Sequence, residues 1–283
     1  MHDGPGLRTT VFLKGCTLRC EWCHNPETQN RERELLYYSV KCISCRLCEH
    51  VCLYGAHSFD GDHTVDRNKC KACGKCAENC PTAATDICGG EYTVAELVAQ
   101  VEKDRAFYRE NGGVTLSGGE PFLQGKAAIA FLKACKESGM TTAVETSGFA
   151  EESSILEAIP HTDLFLWDVK DTDDCRHKKY TGVSNVKILK NLAAADAGGA
   201  KTRLRCILVN SVNTNEDHYR KVAELAASLK NCEGVEIIPY HAYGGSKATH
   251  LGREDNGRTE WIPTEEQICK AKDILCADGI TVW

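Results

Sequence analysis

Three groups of closely spaced cysteines dominate the chemistry that this sequence can do. Cys42, Cys45, Cys48 and Cys52 are spaced C-x2-C-x2-C-x3-C, and Cys70, Cys73, Cys76 and Cys80 repeat that spacing 28 residues later. Near the start, Cys16, Cys20 and Cys23 form C-x3-C-x2-C, three ligands with no obvious fourth. Close runs of this kind suit thiolates on metal better than pairwise disulfides. A metal centre with three protein ligands keeps a position open, and open positions are where metal sites do chemistry. The bland reading of the triplet is a structural centre with a distant fourth ligand, for which Cys88 is the nearest candidate.

The doubled quartet is the run found in bacterial two-cluster ferredoxins, where the fourth cysteine of each run ligates the other cluster. It assigns Cys42, Cys45, Cys48 and Cys80 to one 4Fe-4S cluster, and Cys70, Cys73, Cys76 and Cys52 to a second. Pro81 follows the second run as the pattern expects, whereas Leu53 departs from it after the first. The competing reading is a zinc-stapled module, since a piece of roughly 45 residues with little core needs some staple. Zinc sites usually use pairs of C-x2-C, and three close cysteines plus a fourth do not favour them.

The elements that must position these groups follow from texture. Arg8–Lys14 is a short β-rich run, and residues 41–85 are dense in cysteine and turn formers with few large aliphatics. From about residue 90, apolar β-branched runs alternate with segments of helical period at 93–109, 126–138, 151–158, 187–197, 218–230 and 264–277. The strand candidates between them are Val114–Leu116, Thr142–Val144, Leu164–Val169, Thr202–Val209 and Val235–Ile238. Such alternation implies a parallel sheet. Six units predict an α/β fold, an open partial (β/α)6 barrel over residues 1–40 and 86–283, with a ferredoxin-like two-cluster insertion at 41–85 after the first strand.

Chemistry in parallel α/β folds gathers at the carboxyl ends of strands. That rule picks out Cys16, residues 117–120, 145–148, 168–170 and 205–210, and residues 239–241, all polar or glycine-rich where an apolar strand stops.

Composition bounds the rest. Apolar residues make up 42% of 283 and the net charge is −6, which allows a sizeable core and argues against nucleic acid as the main ligand. No apolar run approaches the roughly 18 residues needed to span a bilayer. The opening Met1-His2-Asp3-Gly4 carries no secretion signal. Eighteen cysteines in a chain that is neither small nor visibly secreted imply a reducing, anoxic cytoplasm.

The segment Gly15-Cys16-Thr17-Leu18-Arg19-Cys20-Glu21-Trp22-Cys23-His24-Asn25-Pro26-Glu27 resembles the cluster loop of the radical S-adenosylmethionine superfamily, with an aromatic before the last cysteine. Upstream, Asp3-Gly4-Pro5-Gly6-Leu7-Arg8 resembles the signature of glycyl-radical-enzyme activating enzymes. The insertion is similar to that of activases for the broader glycyl radical families, which the shorter pyruvate formate-lyase activase lacks. The resemblance runs from residue 2 to about 250. Relatives carry further residues before the DGPG run, which makes Met1 a candidate truncated or miscalled start.

The resemblance implies that S-adenosylmethionine chelates the open iron of the Cys16/Cys20/Cys23 cluster, with Trp22 and His24 beside it. Gly118-Gly119-Glu120 matches the family motif that lies against the amino group of the cofactor. Alone, that tripeptide is an ordinary βα turn. Asp168-Val169-Lys170 resembles the family's D-x-K strand end, and Glu145, with Asp168, is expected to hold a monovalent cation. Arg205 lies where the family pairs a carboxylate, or else in a structural salt bridge. His241 matches the late histidine beside ribose and adenine, although a lone strand-end histidine is more often structural. Asp3 is expected to meet the backbone of a substrate glycine. Cys88, Cys135, Cys175, Cys206, Cys232, Cys269 and Cys276 carry no assigned role and suit buried apolar positions.

The implied activity is reductive cleavage of S-adenosylmethionine to a 5′-deoxyadenosyl radical that abstracts a hydrogen atom from a glycine of a partner glycyl radical enzyme. The implied cofactors are three 4Fe-4S clusters, S-adenosylmethionine and a monovalent cation, with a flavodoxin or ferredoxin as electron donor. Two rivals stand beside it: a radical enzyme acting on a small molecule or peptide, and an electron carrier without catalysis, which would need none of the strand-end motifs.

Overall fold

A computed structural model describes residues 3–283, so the question of the start at Met1 lies outside the described residues. Ten strands form. The chain runs through β1 (Arg8–Leu13), then β2 (Glu34–Tyr37), β3 (His57–Ser58), β4 (Thr64–Val65) and β5 (Thr85–Cys88). It continues through β6 (Gly113–Gly118), β7 (Thr141–Thr146), β8 (Leu164–Val169), β9 (Thr202–Leu208) and β10 (Cys232–Pro239). All six strands expected for the large sheet are present. They lie in the order β1-β6-β7-β8-β9-β10, every pair parallel, with β1 and β10 as the two edges.

Alternation along each strand sorts side chains to two faces. One face sends Leu116, Val144, Phe165, Trp167, Leu204 and Ile237 into the main core, against Phe131, Leu132, Ile155, Leu192 and Val222 from the covering helices. The other face carries a small apolar cluster, Ala143, Leu164 and Leu166, toward the strand starts. Beyond it, toward the carboxyl ends, the same face turns polar at Ser117, Glu145, Asp168 and Arg205. Register sets Asp168 directly beside Arg205.

The helices Gly125–Glu137, Glu152–Ala158, Val186–Ala197, Glu216–Ser228 and Glu265–Ala277 agree with their periodic segments to within about two residues. The expected 93–109 helix breaks at Lys103 and Asp104 into Val94–Glu102 and Arg105–Tyr108. Two further helices have no apolar stripe that would announce them. Asp174–Thr181 buries His177 and Thr181, and is instead defined by its ends: Asp173 caps it by accepting from the Arg176 amide at 2.8 Å, and Gly182 closes it at φ +82°. Gly244–His250 begins with two glycines, the poorest of helix formers after proline.

The cysteine-rich segment is carried on the antiparallel ribbon of β2 and β5; β2 ends before the expected boundary at 40/41, and β5 crosses the one at 85/86. Among the described residues no helix is long and apolar enough to cross a membrane.

Arg8 ties the segment before β1 to the sheet. Its guanidinium donates to Thr115 Oγ1 at 2.8 Å, the Val114 carbonyl at 2.7 Å, Thr141 Oγ1 at 3.0 Å and the Pro5 carbonyl at 3.1 Å. Arg8→Met removes these bonds, three of them part-buried, and an unsatisfied buried group costs about 1–3 kcal/mol. The expected result is a stability loss of about that size in urea unfolding, with faster amide exchange at Gly4, Gly6 and Leu7; unchanged exchange there would show that Arg8 does not hold the segment.

Candidate functional site

The loop bearing Cys16, Cys20 and Cys23 is stitched down by backbone hydrogen bonds on three sides. Gly15 donates to the Thr28 carbonyl at 2.7 Å and accepts from the Glu120 amide at 2.8 Å. Cys16 donates to Gln29 at 3.0 Å, Arg19 to Thr181 at 2.8 Å and Glu21 to Tyr180 at 3.0 Å. Trp22 anchors the loop from below, its ring 5.7 Å from Tyr180 and 6.1 Å from Trp261. Ile207, Ile238 and Tyr240 at the ends of β9 and β10 complete that apolar floor.

The two glycines after β6 allow this approach. A Cβ on Gly119 would lie 2.1 Å from the Gly15 carbonyl oxygen, and one on Gly118, at φ +113°, 2.3 Å from that of Leu13. Neither position admits a side chain. On the far side of the loop, a Cβ on Gly244 would stand 2.5 Å from the Cys23 carbonyl oxygen, which explains the first glycine of that helix.

Glu120 is buried and its carboxylate is engaged by the end of β7. It accepts from Thr146 Oγ1 at 2.7 Å, Ser147 Oγ at 2.6 Å and the Ser147 amide at 3.0 Å. Burial raises its pKa against the pull of those hydrogen bonds. The parts of the tripeptide that line the cavity are Gly118 and Gly119.

Beside it runs a chain of buried charge. Ser117 Oγ donates to Glu145 at 2.5 Å, and Glu145 meets the Arg205 guanidinium at 2.8 Å. Arg205 Nε lies 3.6 Å from Asp168, whose other oxygen accepts from Lys170 at 3.0 Å. Burial works against the Asp168 carboxylate, but Lys170 and Arg205 hold its pKa below the usual range. Burial raises that of Glu145, with Arg205 and Ser117 opposing. Arg205 thus stands between the two carboxylates expected to hold a monovalent cation and already supplies positive charge there.

The strand ends and the loop converge on one cavity of about 150 Å³. It is lined by the three cysteines, Trp22, His24, Gly118, Gly119, Glu145, Asp168, Lys170 and Arg205. His24 Nε2, Asp168 Oδ1 and Arg205 Nε are buried there without a hydrogen-bond partner. Burial pushes the Cys16 thiol up to about 11 and Cys20 up to about 12, so a metal bound there must displace their protons. Three sulfurs and unsatisfied polar atoms aimed into one cavity fit a metal centre with a polar ligand beside it. A larger groove of about 1040 Å³ runs between β1 and the insertion and gathers none of these strand-end groups.

The other expected residues sit at the margin. His241 is exposed and joins the wall through its ring, stacked on His24 at 3.8 Å. Val169 turns outward into the main core, so only its backbone faces the strand end. Asp3 lies on the same face as Glu145, its carboxylate accepting from Thr10 Oγ1 at 3.2 Å and its carbonyl from Thr115 Oγ1 at 2.6 Å. Sequence reasoning missed Tyr180, Trp261 and Asn256, the last of which donates to the Glu21 carbonyl at 3.0 Å. A tryptophan in an otherwise polar, aperiodic stretch was the available signal for Trp261.

In the insertion, Cys42, Cys45, Cys48 and Cys80 line one cavity, and Cys52, Cys70, Cys73 and Cys76 another. The repeat is structural as well as sequential. Left-handed backbone recurs at Ser44 and Ala72 and at Arg46 and Gly74, and the short helices Leu47–Val51 and Lys75–Glu78 follow. Amides of Ala56, Ala72 and Ala84 point at the sulfurs of Cys52, Cys70 and Cys80 at 3.3, 3.4 and 3.2 Å. Despite burial, such donors bring Cys80 down to about 7. One tetrahedral ion with sulfur at 2.3 Å draws its ligands to within about 4 Å of one another. Among the described residues only Cys48, His57 and His63 place three ligand atoms within 4.8 Å, so each cysteine group stands wider than one ion requires. All eighteen cysteines are free.

Residues 10–226 match the family model described as the Radical SAM superfamily. The chain is 40% identical over 262 residues to the choline trimethylamine-lyase activating enzyme of Oleidesulfovibrio alaskensis, covering 90% of this chain and 84% of that one. It is 41% identical over 286 residues to the isethionate sulfite-lyase activating enzyme of the same organism, covering 98% and 91%. Among solved structures, a domain of a pyruvate-formate lyase-activating enzyme from Bacteroides vulgatus superposes with a TM-score of 0.52 at 30% identity. That match covers 61% of this chain and 98% of the other.

The buried charges give a test. Arg205→Met strands the Glu145 carboxylate, and removing one partner of a buried pair costs about 3–5 kcal/mol. Adding Glu145→Gln should recover much of that loss. A double-mutant cycle by chemical denaturation checks it; simple additivity would mean that the two side chains do not interact.

Proposed function

This chain belongs to the radical S-adenosylmethionine superfamily, and on that premise we propose that it is the activating enzyme of a glycyl radical enzyme. One observation carries the reading: Cys16, Cys20 and Cys23 open onto the same cavity as the glycines and charged groups at four strand ends. Cys16, Cys20 and Cys23 would hold a 4Fe-4S cluster, which would supply an open coordination position for S-adenosylmethionine and the electron for its cleavage to methionine and a 5′-deoxyadenosyl radical able to take a hydrogen atom from the partner's glycine.

The chain's own residues bind and orient. Gly118 and Gly119 bring bare backbone to the cluster loop, where the amino end of the cofactor belongs, while Glu120 braces β6 against β7. Asp168, Lys170 and Arg205 offer partners to its ribose and carboxylate. The stacked rings of His24 and His241 form a flat wall suited to adenine. Asp3, beside β1 and on the cavity's face of the sheet, receives the backbone of the substrate glycine.

Six parallel strands in chain order with β1 and β10 unjoined support an open partial (β/α)6 barrel, whose gap admits a loop of a macromolecular partner. The paired cysteine cavities support a ferredoxin-like insertion at 41–85 that holds two more 4Fe-4S clusters, on Cys42, Cys45, Cys48 and Cys80 and on Cys52, Cys70, Cys73 and Cys76, with 1–40 and 86–283 as the catalytic body. Clusters held there would supply a relay for electrons from a flavodoxin or ferredoxin. Eighteen free cysteines suit a reducing, anoxic cytoplasm.

Anaerobic reconstitution should load about twelve irons per chain. Cys20→Ala should abolish S-adenosylmethionine cleavage even under dithionite, whereas Cys45→Ala should keep cleavage with dithionite and lose much of it with a protein donor. Four irons per chain, or stoichiometric zinc, would sink the two-cluster insertion. Incubation with the cognate partner should produce a glycyl radical doublet in electron paramagnetic resonance; its absence with every candidate partner would favour a small-molecule substrate.

Asp3→Asn separates orientation from cofactor chemistry. The variant should cleave S-adenosylmethionine at the wild-type rate without partner, yet form the glycyl radical on the order of a hundredfold more slowly, the typical cost of a 1 Å misplacement. Wild-type radical yield would refute the orienting role.

A further inference from the structure

The insertion contains a buried histidine pair that the activity above does not use. His57 and His63 are 5% and 7% exposed and stand on the β3–β4 hairpin. His57 Nδ1 and His63 Nε2 are 2.9 Å apart. His63 Nδ1 lies 3.4 Å from the sulfur of Cys42, and its Nε2 3.6 Å from that of Cys48. The ring is clamped, stacked on Phe59 at 4.4 Å and met edge-on by Tyr37 at 4.5 Å. His63 lines the first cysteine cavity and His57 the second, so the pair spans the wall between them.

Proton placement follows from what each neighbour accepts. Each imidazole has two ring nitrogens, and each nitrogen donates or accepts according to where the ring's proton sits. A metal-bound thiolate only accepts. With its proton on Nδ1, His63 donates to Cys42, and its Nε2 accepts from His57 Nδ1–H. With the proton on Nε2, a lone pair would face the Cys42 sulfur across 3.4 Å. The first arrangement satisfies the two shorter contacts, to His57 and to Cys42, and leaves only the longest, 3.6 Å from Nε2 to the Cys48 sulfur, without a donor; His57 holds it in place as outer-shell partners do for ligating groups.

Resting on the cluster assignment of the proposed function, we infer that His63 is a tuning residue, an N–H donor to the Cys42 sulfur that raises the reduction potential of the first insertion cluster, with His57 fixing its tautomer. Reduction adds negative charge to a cluster, and a hydrogen-bond dipole aimed at a ligating sulfur stabilises that charge; such bonds are among the determinants of cluster potential. At the second cavity the sulfurs of Cys52 and Cys70 are met by the backbone amides of Ala56 and Ala72, which leaves the imidazole donor as a difference between two otherwise repeated sites.

The test uses the fully loaded protein and titrations of potential followed by electron paramagnetic resonance. His63→Phe keeps a ring against Phe59 but has no N–H. One cluster should shift to lower potential while the other two hold, and His63→Asn, which restores an N–H near Nδ1, should return it part of the way. Unchanged midpoints in His63→Phe at full iron content overturn the tuning role and leave the cluster assignment standing. Should His63→Phe not hold its iron, electron–nuclear double resonance of the reduced wild type in H2O and D2O decides. An exchangeable proton coupled to an insertion cluster, and lost in His57→Phe, supports the inference; the absence of such a proton overturns it. Zinc retained in the wild type and released by His57→Phe would make Cys48, His57 and His63 a metal site and overturn both readings together.

Discussion

The site depends on how closely the end of β6 approaches the loop that leaves β1. Gly119 comes near enough to the Gly15 carbonyl that no side chain fits between them, and the Glu120 amide bonds that same carbonyl. The contact seats the three cysteines over the sheet, because β1 and β6 are paired from Arg8 to Leu13 and cannot slide apart. Glu120 extends the constraint to β7 through Thr146 and Ser147. A buried carboxylate is costly unless its acceptors are filled, and here they are filled by the neighbouring strand end, so the same group that needs partners also fixes the spacing.

The polar side of the sheet is built on the same logic. Glu145, Arg205, Asp168 and Lys170 would each be expensive to bury alone. Strand register puts Asp168 beside Arg205, and the length of the arginine carries it on to Glu145. The signs balance, yet the hydrogen bonding is incomplete: Asp168 Oδ1 and Arg205 Nε remain unmatched within the protein. Charge compensation supplies stability, and the unmatched atoms leave hydrogen-bonding capacity at the cavity. Cavity-lining structure and fold-stabilising structure are here the same four side chains.

The insertion shows a different balance. Its 28-residue repeat produces matching turns with left-handed backbone at equivalent positions, and each half contributes three cysteines to its own cavity and one to the other. Crossing the fourth cysteine brings the halves together at each cavity in a segment with little apolar core, where Leu35, Cys48 and Cys76 are the buried centre. The hairpin of β3 and β4 is present in only one half. It breaks the symmetry by placing His63 against Cys42 and Cys48, so two sites with the same ligand spacing have different surroundings.

Much of this was legible in order of residues alone. Cysteine spacing is local, so the three groups and the crossed pairing were readable, as were six strands whose apolar runs stop at polar residues. The helices Asp174–Thr181 and Gly244–His250 were not, because the first buries a histidine and a threonine instead of an apolar stripe, and the second exists to bring glycine against Cys23. The ribbon of β2 and β5 joins residues about fifty apart in a segment whose cysteines mask any strand pattern. The sequence by itself determined which atoms can ligate metal and which strand ends are polar, since both follow from residue type and short spacing. Only the tertiary structure decided that Glu120 braces β7, that Arg205 stands between Glu145 and Asp168, and that His57 and His63 meet the first quartet. Each of these is a contact between distant segments, and its geometry is set by sheet register and packing rather than by any neighbour in the chain.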